Sequence, residues 1–215
     1  MSKRTLHEAH QVQFDAPPCG ALTRPNNSVT WRVWAPNACQ ATLVLHDPPD
    51  GRGRSIQMQP ERDGYFIHTE PDVAEGQPYA FQLDAGPERP DPVSRCQPGG
   101  VHEPSAVVRL ERFDWSEGDW PGLRREQLVI YEIHTGTFTG EGTFDAAIER
   151  LEMLRELGIT AVELMPVCQF PGDRGWGYDA VHPYAVQESY GGPRGLQRFV
   201  DACHRTGMAV ILDVV

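Results

Sequence analysis

What this sequence lacks narrows its function. It lacks basic charge: 19 Lys and Arg stand against 30 Asp and Glu, a formal net charge of −11. Nucleic acid and anionic membrane surfaces are held by clustered cations, so neither is expected as a partner. It has no apolar run long enough to span a bilayer, and the segment from Met1 to Phe14 has no apolar core of the signal-peptide kind. It also lacks paired cysteines. The five present, Cys19, Cys39, Cys96, Cys168 and Cys203, are odd in number, widely spaced and form no C-x-x-C. Reduced thiols in a cytoplasm are expected, not a disulfide framework or a zinc site. No Ser/His/Asp, Cys/His or metal-ligand arrangement stands out, and no cofactor is expected.

What is present divides into two halves. A chain of 215 residues with 40% hydrophobic residues can bury the core of one large domain or two modest ones. From about 10 to 108 the pattern is short, β-rich and broken by turns. Ser28 to Trp34 alternates, with Val29, Trp31 and Val33 on one face. Ala41 to Leu45, Ser55 to Met58, Tyr65 to His68 and Tyr79 to Leu83 follow at strand-and-turn spacing. Turn signals lie between them at Pro48 to Gly51 and Arg62 to Gly64. Such a run of strands predicts a small antiparallel β-sandwich. Trp31 and Trp34 both have the ring of a sugar-stacking platform, but alternation assigns Trp31 to the core. Glu88 to Pro104 reads as an extended connection, and Phe113 to Gly122 as a further loop.

The period then changes. Leu128 to His134 is an almost unbroken apolar run, suited to a strand buried on both faces. Phe144, Ala147, Ile148, Leu151, Leu154 and Leu157 recur at helical spacing, with Thr143 as N-cap and Gly158 just past the end. Ala161 to Val167 reads as a second strand. Leu196, Phe199, Val200 and Cys203 mark a second helix, closed by Gly207, and Ala209 to Val215 is a third strand. Strand-helix-strand-helix-strand demands a parallel sheet with right-handed crossovers. A nucleotide fold is disfavoured, because Thr135 to Gly140 lacks the glycine spacing of a phosphate turn. The fold class expected is therefore β followed by α/β: a small antiparallel β-sandwich, then the first three strands and two helices of a (β/α)8 barrel.

In such barrels the chemistry sits beyond the C-terminal ends of the strands. Three features fall there: His134 ending the first strand, Gly175 to Asp179 in the long loop after the second, and Asp213 near the end of the third. Aromatic rings beside a carboxylate suit a sugar, the ring stacking on its C–H face while the carboxylate accepts from hydroxyls. Trp176 and Tyr178 equally suit a second role, pinning the loop to the barrel rim. Asp213 lies among Ile211, Leu212, Val214 and Val215, so it requires a cationic or hydrogen-bonding partner, and no obvious one stands in the sequence. Glu132 and Glu163 read as structural hydrogen-bonding carboxylates, His182 as a loop histidine and His204 as an exposed helix histidine.

These residues carry a resemblance. Gly158 to Pro166 resembles the second-strand signature of the α-amylase superfamily of glycoside hydrolases. Ile211 to Val215 resembles the start of its third-strand signature, which continues in that family into an Asn-His pair not present here. Within the superfamily, Val129 to Thr139, Arg174 to Asp179, Ser189 to Pro193 and the connection from Asp91 to His102 are similar to the maltooligosyltrehalose trehalohydrolases. Trp34-Ala35-Pro36 resembles the immunoglobulin-like N-terminal domain of those enzymes and of branching and debranching relatives. The resemblance implies a sandwich over 10–108 and the start of a catalytic barrel over 123–215. It implies a retaining glycosidase that releases trehalose from maltooligosyltrehalose or a related α-glucan. Its two catalytic carboxyls, roughly 5–5.5 Å apart, come from the fourth and fifth strands, so nucleophile and acid are expected beyond Val215. By position, Tyr178 would stack on the sugar at the cleavage point and Asp213 would support the catalytic constellation. Trp176 and Asp179 are further substrate-contact candidates. A fragment of a branching or debranching enzyme, or a free-standing glucan-binding module, are the alternatives.

Overall fold

The computed structural model describes residues 18–47, 52–116 and 120–215. The turn expected at Pro48 to Gly51, the first residues of the expected sandwich and part of the Phe113 to Gly122 loop lie outside the described residues.

The first half is two antiparallel sheets. One carries Gly20–Thr23 (β1), Val29–Trp34 (β2), Gln59–Pro60 (β5) and Tyr65–Glu70 (β6), in the order β1-β2-β6-β5. The other carries Ala41–Asp47 (β3), Arg52–Gln57 (β4), Pro78–Leu83 (β7) and Glu88–Arg89 (β8), in the order β4-β3-β7-β8, with Ser105–Ala106 (β9) pairing on β7. Alternation decides which side chains enter the space between them. Val29, Trp31 and Val33 of β2 meet Leu43 and Leu45 of β3 and Tyr79 and Phe81 of β7 in one buried cluster. Trp31 is fully buried, its ring edge-on to Tyr79 at 5.8 Å. Trp34, at the end of the same strand, faces outward and is 59% exposed.

The stretch Glu88 to Pro104, expected to be an extended connection, contains β8 and most of a buried polar network. Asp91 accepts from the Tyr79 hydroxyl at 2.7 Å, and the Asp91 backbone N–H donates to Ser105 Oγ at 3.0 Å. Ser105 in turn donates to Gln97 Oε1, whose Nε2 donates to the Gly100 and Glu103 carbonyls. Burial raises the Asp91 carboxyl, against the lowering effect of the Tyr79 hydrogen bond. Asp91 and Gln97 of this network lie in a segment rich in Pro, Gly and charge, where nothing local marks them as buried.

The second half contains the parallel sheet Ile130–Ile133 (β10), Ala161–Leu164 (β11) and Ala209–Leu212 (β14), in the order β10-β11-β14. The helical segment after β10 starts with the short turn Thr135–Phe138 (α1), then Phe144–Ile148 (α2) and Leu151–Glu156 (α3). The single helix expected over 144–157 is thus split. At Arg150 the backbone N–H bonds back only three residues, to Ala147, and tightens one turn, yet Phe144, Ala147, Leu151 and Leu154 still share the buried face. Thr143 caps as expected, its Oγ1 accepting from the Ala146 N–H at 3.2 Å. The second helix, Gly192–Arg205 (α4), places Phe199 and Cys203 in the same core.

Three expectations need correction. The apolar run of the first strand is not buried on both faces: Ile130 is 48% exposed, because β10 is paired on one edge only among the described residues. Only central β11, with a neighbour on each side, buries Ala161, Val162 and Leu164 completely. His182 is not a loop residue. It lies in the strand His182–Val186 (β13), which pairs antiparallel with Cys168–Gln169 (β12), and it is buried with Nε2–H donating to the Val101 carbonyl at 3.0 Å. His204 is half-buried, its ring stacked on Trp120 at 4.5 Å.

The two halves are tied together by side chains reaching main-chain carbonyls. Arg109, fully buried, donates to the carbonyls of Asn27 and Val73, each at 2.8 Å. Its own carbonyl accepts from Arg194 of α4 at 2.9 Å, and Arg194 also pairs with Glu75 at 2.5 Å. Gln197 donates to the Leu110 carbonyl at 2.9 Å.

Candidate functional site

The parallel strands run in one direction, so their C-terminal ends share one side of the sheet, and the candidate residues collect there. Asp213 follows β14 directly, its N–H still bonded to the Leu164 carbonyl of β11 at 3.0 Å. Tyr178, in the loop after β11, donates its hydroxyl hydrogen to Asp213 Oδ2 at 2.8 Å. The partner that the sequence failed to reveal for Asp213 is therefore in this chain, 35 residues away. The bond to the Asp213 carboxylate raises the Tyr178 hydroxyl above its usual value, and the nearby charges of Asp213, Glu132 and Glu163 push it the same way. Glu132 and Glu163 face each other in register on β10 and β11 and have no hydrogen-bond or ion-pair partner among the described residues, contrary to the structural role expected for them. Asp179 is exposed and likewise makes no side-chain hydrogen bond among them.

Backbone geometry fixes the loop that carries Tyr178. Gly177 has φ +89°, and a Cβ there would stand 2.0 Å from the Pro166 carbonyl oxygen. Only glycine allows this close approach of loop to strand end. Two residues earlier, Gly175 is held by its carbonyl, which lies 2.8 Å from His134 Nε2 and 3.2 Å from the Tyr190 hydroxyl. A carbonyl can only accept, so Nε2 bears the proton. Nδ1 lies 3.0 Å from the Thr137 hydroxyl, and the Tyr190 hydroxyl donates to Gly175. His134 thus braces the loop from the first strand through its Nε2–H. Burial pushes the Tyr190 hydroxyl up to about 12, so it stays a donor. Sequence reasoning placed His134 at the strand end but missed this clamp, because Tyr190 is 56 residues distant and reads simply as part of a turn.

Between the loop after β10 and the loop after β11 opens a cleft of about 530 Å³. His134, Thr137, Glu141, Asp173, Arg174 and Trp176 are among its walls. Trp176 is 73% exposed, so its indole is available to a ligand and does not pin the loop by burial. The loop thus sends Trp176 to the cleft and Tyr178 to Asp213.

No described cysteine is in a disulfide, and burial raises the thiols of Cys96 and Cys203 to about 11 and about 12. Among the described residues no group of three His, Cys, Asp or Glu side chains is placed to hold a metal ion. No described helix is long and apolar enough to cross a membrane.

Comparison with known proteins gives this geometry a family. The model for the α-amylase catalytic domain matches residues 111–215, and that for carbohydrate-binding module 48, the isoamylase N-terminal domain, matches 17–93. Malto-oligosyltrehalose trehalohydrolase of Saccharolobus solfataricus is 47% identical over 189 residues, 88% of this chain and 33% of that protein. The enzyme of the same name from Deinococcus radiodurans is 48% identical over 197 residues, 91% of this chain and 32% of that protein. A 1,4-alpha-glucan branching enzyme of Gloeobacter violaceus is 32% identical over 87% of this chain and 28% of its own length. The crystal structure of a putative α-amylase from Salmonella typhimurium superposes with a TM-score of 0.85 at 43% identity, covering 93% of this chain and 33% of that one. The chain spans about a third of the length of the relatives it matches. With its antiparallel sandwich followed by the parallel β/α start of an amylase-type catalytic domain, the chain is homologous to the N-terminal portion of the malto-oligosyltrehalose trehalohydrolases, which are α-amylase-type glycosidases.

Proposed function

We propose that this chain is the substrate-side portion of a retaining glycosidase that cleaves the α-1,4 bond next to the trehalose end of maltooligosyltrehalose and releases trehalose. Its sandwich occupies 10–108 and its barrel opens at 123. The observation that carries the reading is the 2.8 Å bond from Tyr178 to Asp213 beyond the ends of the parallel strands. It holds an exposed ring in one orientation beside a carboxylate, with the cleft of about 530 Å³ adjoining on the same loop. Pre-organisation of that kind is worth more to binding than the contact alone, because no rotamer freedom is lost when the sugar arrives.

In this reading Tyr178 stacks on the sugar at the cleavage point, and Asp213 orients Tyr178 rather than attacking. Trp176 offers a second stacking surface in the cleft, and the free carboxylate of Asp179 accepts from sugar hydroxyls. A neutral polyol suits a chain of net charge −11. Nucleophile and acid belong to the fourth and fifth strands by family resemblance, and the described residues hold three parallel strands. Purified 1–215 is therefore expected to show no turnover of a maltooligosyl substrate.

The test is to incubate the longest reading frame that carries this chain with maltooligosyltrehalose and to measure free trehalose. Release of trehalose is expected. Rearrangement of linear glucans without trehalose would instead assign a branching transferase, the second reading, which the 32% identity to a branching enzyme keeps in play.

A further inference from the structure

The loop that carries Trp176 and Tyr178 is held at one atom by two donors. The Gly175 carbonyl oxygen lies 2.8 Å from His134 Nε2 and 3.2 Å from the Tyr190 hydroxyl, and those two groups are 3.0 Å apart. Both side chains are among the walls of the cleft of about 530 Å³, yet these polar atoms are already engaged with the loop main chain. Tyr190 is 2% exposed, edge-on to Phe144 at 6.1 Å and to Phe170 at 5.8 Å. Its ring is packed into the core beneath the site, so its hydroxyl is a fixed point for the loop.

The loop after β10 closes on the same point. A Cβ on Gly136 would stand 2.9 Å from Tyr190 Cε1 and 3.1 Å from His134 Cε1, and a Cβ on Gly142 would stand 2.9 Å from the Gly136 carbonyl oxygen. A Cβ on Gly175 would stand 3.1 Å from the Phe170 ring. The two loops and the clamp thus meet with no room for a side chain between them. Trp176 is the next residue after Gly175, and Tyr178 is fixed beyond it by the approach of Gly177 to Pro166 and by the bond to Asp213. The segment 175–178 is held at both ends, which sets the separation of its two exposed rings.

We propose that His134 and Tyr190 are positioning residues: through the Gly175 carbonyl they place Trp176 and Tyr178 against the scissile bond, and so act on cleavage more than on affinity. This role rests on the reading above, in which those two rings are the sugar-contacting surface. Rings on an unclamped loop would still bind a sugar, because stacking tolerates small shifts. Reaction is less tolerant, since a misplacement of about 1 Å can cost about a hundredfold in rate. Loss of such a residue lowers kcat and spares KM.

The test uses the longest reading frame that carries this chain, labelled with fluorotryptophan and assayed for trehalose release from maltooligosyltrehalose. Tyr190→Phe keeps the packed ring and removes one donor to Gly175, and His134→Leu removes the other. His134→Gln keeps an amide donor near the place of Nε2. Each of the first two should lower kcat about threefold and the pair together about tenfold or more, with KM changed less than about twofold. His134→Gln should restore most of the loss. The fluorine resonance of Trp176, assigned by Trp176→Phe, should shift in the double variant and not in His134→Gln. Those of Trp31 and Trp120 should stay in place and report an intact fold. Should the double variant not fold, Tyr190→Phe alone and the contrast of His134→Leu with His134→Gln decide. An unmoved Trp176 resonance, or unchanged kcat in an active enzyme, would overturn the proposal. So would a rise in KM at constant kcat, which would make the two residues substrate contacts. A wild type that releases no trehalose sinks the trehalose reading instead, and the Trp176 resonance still decides the clamp.

Discussion

The sandwich and the parallel sheet bury their apolar residues in different ways. In the sandwich each strand alternates, and the opposite sheet lies within the same stretch of chain. Trp31, Leu43 and Tyr79 are therefore buried without help from elsewhere. In the parallel sheet only β11 has partners on both edges among the described residues. Its neighbour β10 has an equally apolar sequence, yet Val129, Ile130 and Tyr131 remain exposed. The difference teaches that an alternating strand declares its own burial, whereas a continuous apolar strand declares only a need for neighbours.

Four substitutions test that contrast, from the largest effect to the smallest. Trp31→Ala empties the centre of the sandwich and is expected to cost about 3–5 kcal/mol, read from urea unfolding of 1–215. A loss below about 1 kcal/mol would mean that the sandwich core is less closed than its burial indicates. Gly177→Ala introduces a Cβ against the Pro166 carbonyl at positive φ and is expected to cost about 1–3 kcal/mol. It should also weaken maltoheptaose binding at the cleft, since Trp176 and Tyr178 shift with the loop.

Tyr178→Phe removes one exposed hydrogen bond and should lower stability less than either change above. The same bond carries a pH signature. The folded-state value of Tyr178 is raised, so its contribution is complete below the ordinary tyrosine value of 10.0 and is lost as pH rises through the higher folded value. The stability difference between wild type and Tyr178→Phe should therefore shrink at alkaline pH and be constant around neutrality. Tyr131→Lys on the open edge of β10 should change stability by no more than about 0.5 kcal/mol. It should nevertheless reduce self-association in light scattering, because a charge on an apolar edge blocks strand pairing between copies. Equal association of wild type and variant would show that this edge is not the sticky surface.

Much of this architecture was legible because its signals are local. The alternation of Val29, Trp31 and Val33 reports the inner face of β2, and Thr143 with Gly158 brackets the helical segment after β10. The site was legible only in part. The positions of Tyr178 and Asp213 beyond the strand ends follow from the barrel pattern, but the bond between them closes across 35 residues and leaves no periodic trace. The clamp of His134, Gly175 and Tyr190 is hidden for the same reason. His182 was misread because it lies in the long connection after the second strand, where the short hairpin of β12 and β13, irregular in register at Cys168 and Gln169, leaves no sustained alternation. The network of Asp91, Gln97 and Ser105 is invisible in sequence, since buried polar residues in an irregular segment look like surface ones until their partners are placed.

The junction between the halves has a consequence for how such a protein varies over generations. Arg109, Arg194, Gln197 and His182 all end on main-chain carbonyls, those of Asn27, Val73, Arg109, Leu110 and Val101. Every residue type presents a carbonyl, so the accepting loops can drift in sequence while the joint persists. The donor side chains bear more of the hereditary constraint than the residues that accept from them, and substitution should be commoner at Leu110 than at Arg109 and Arg194.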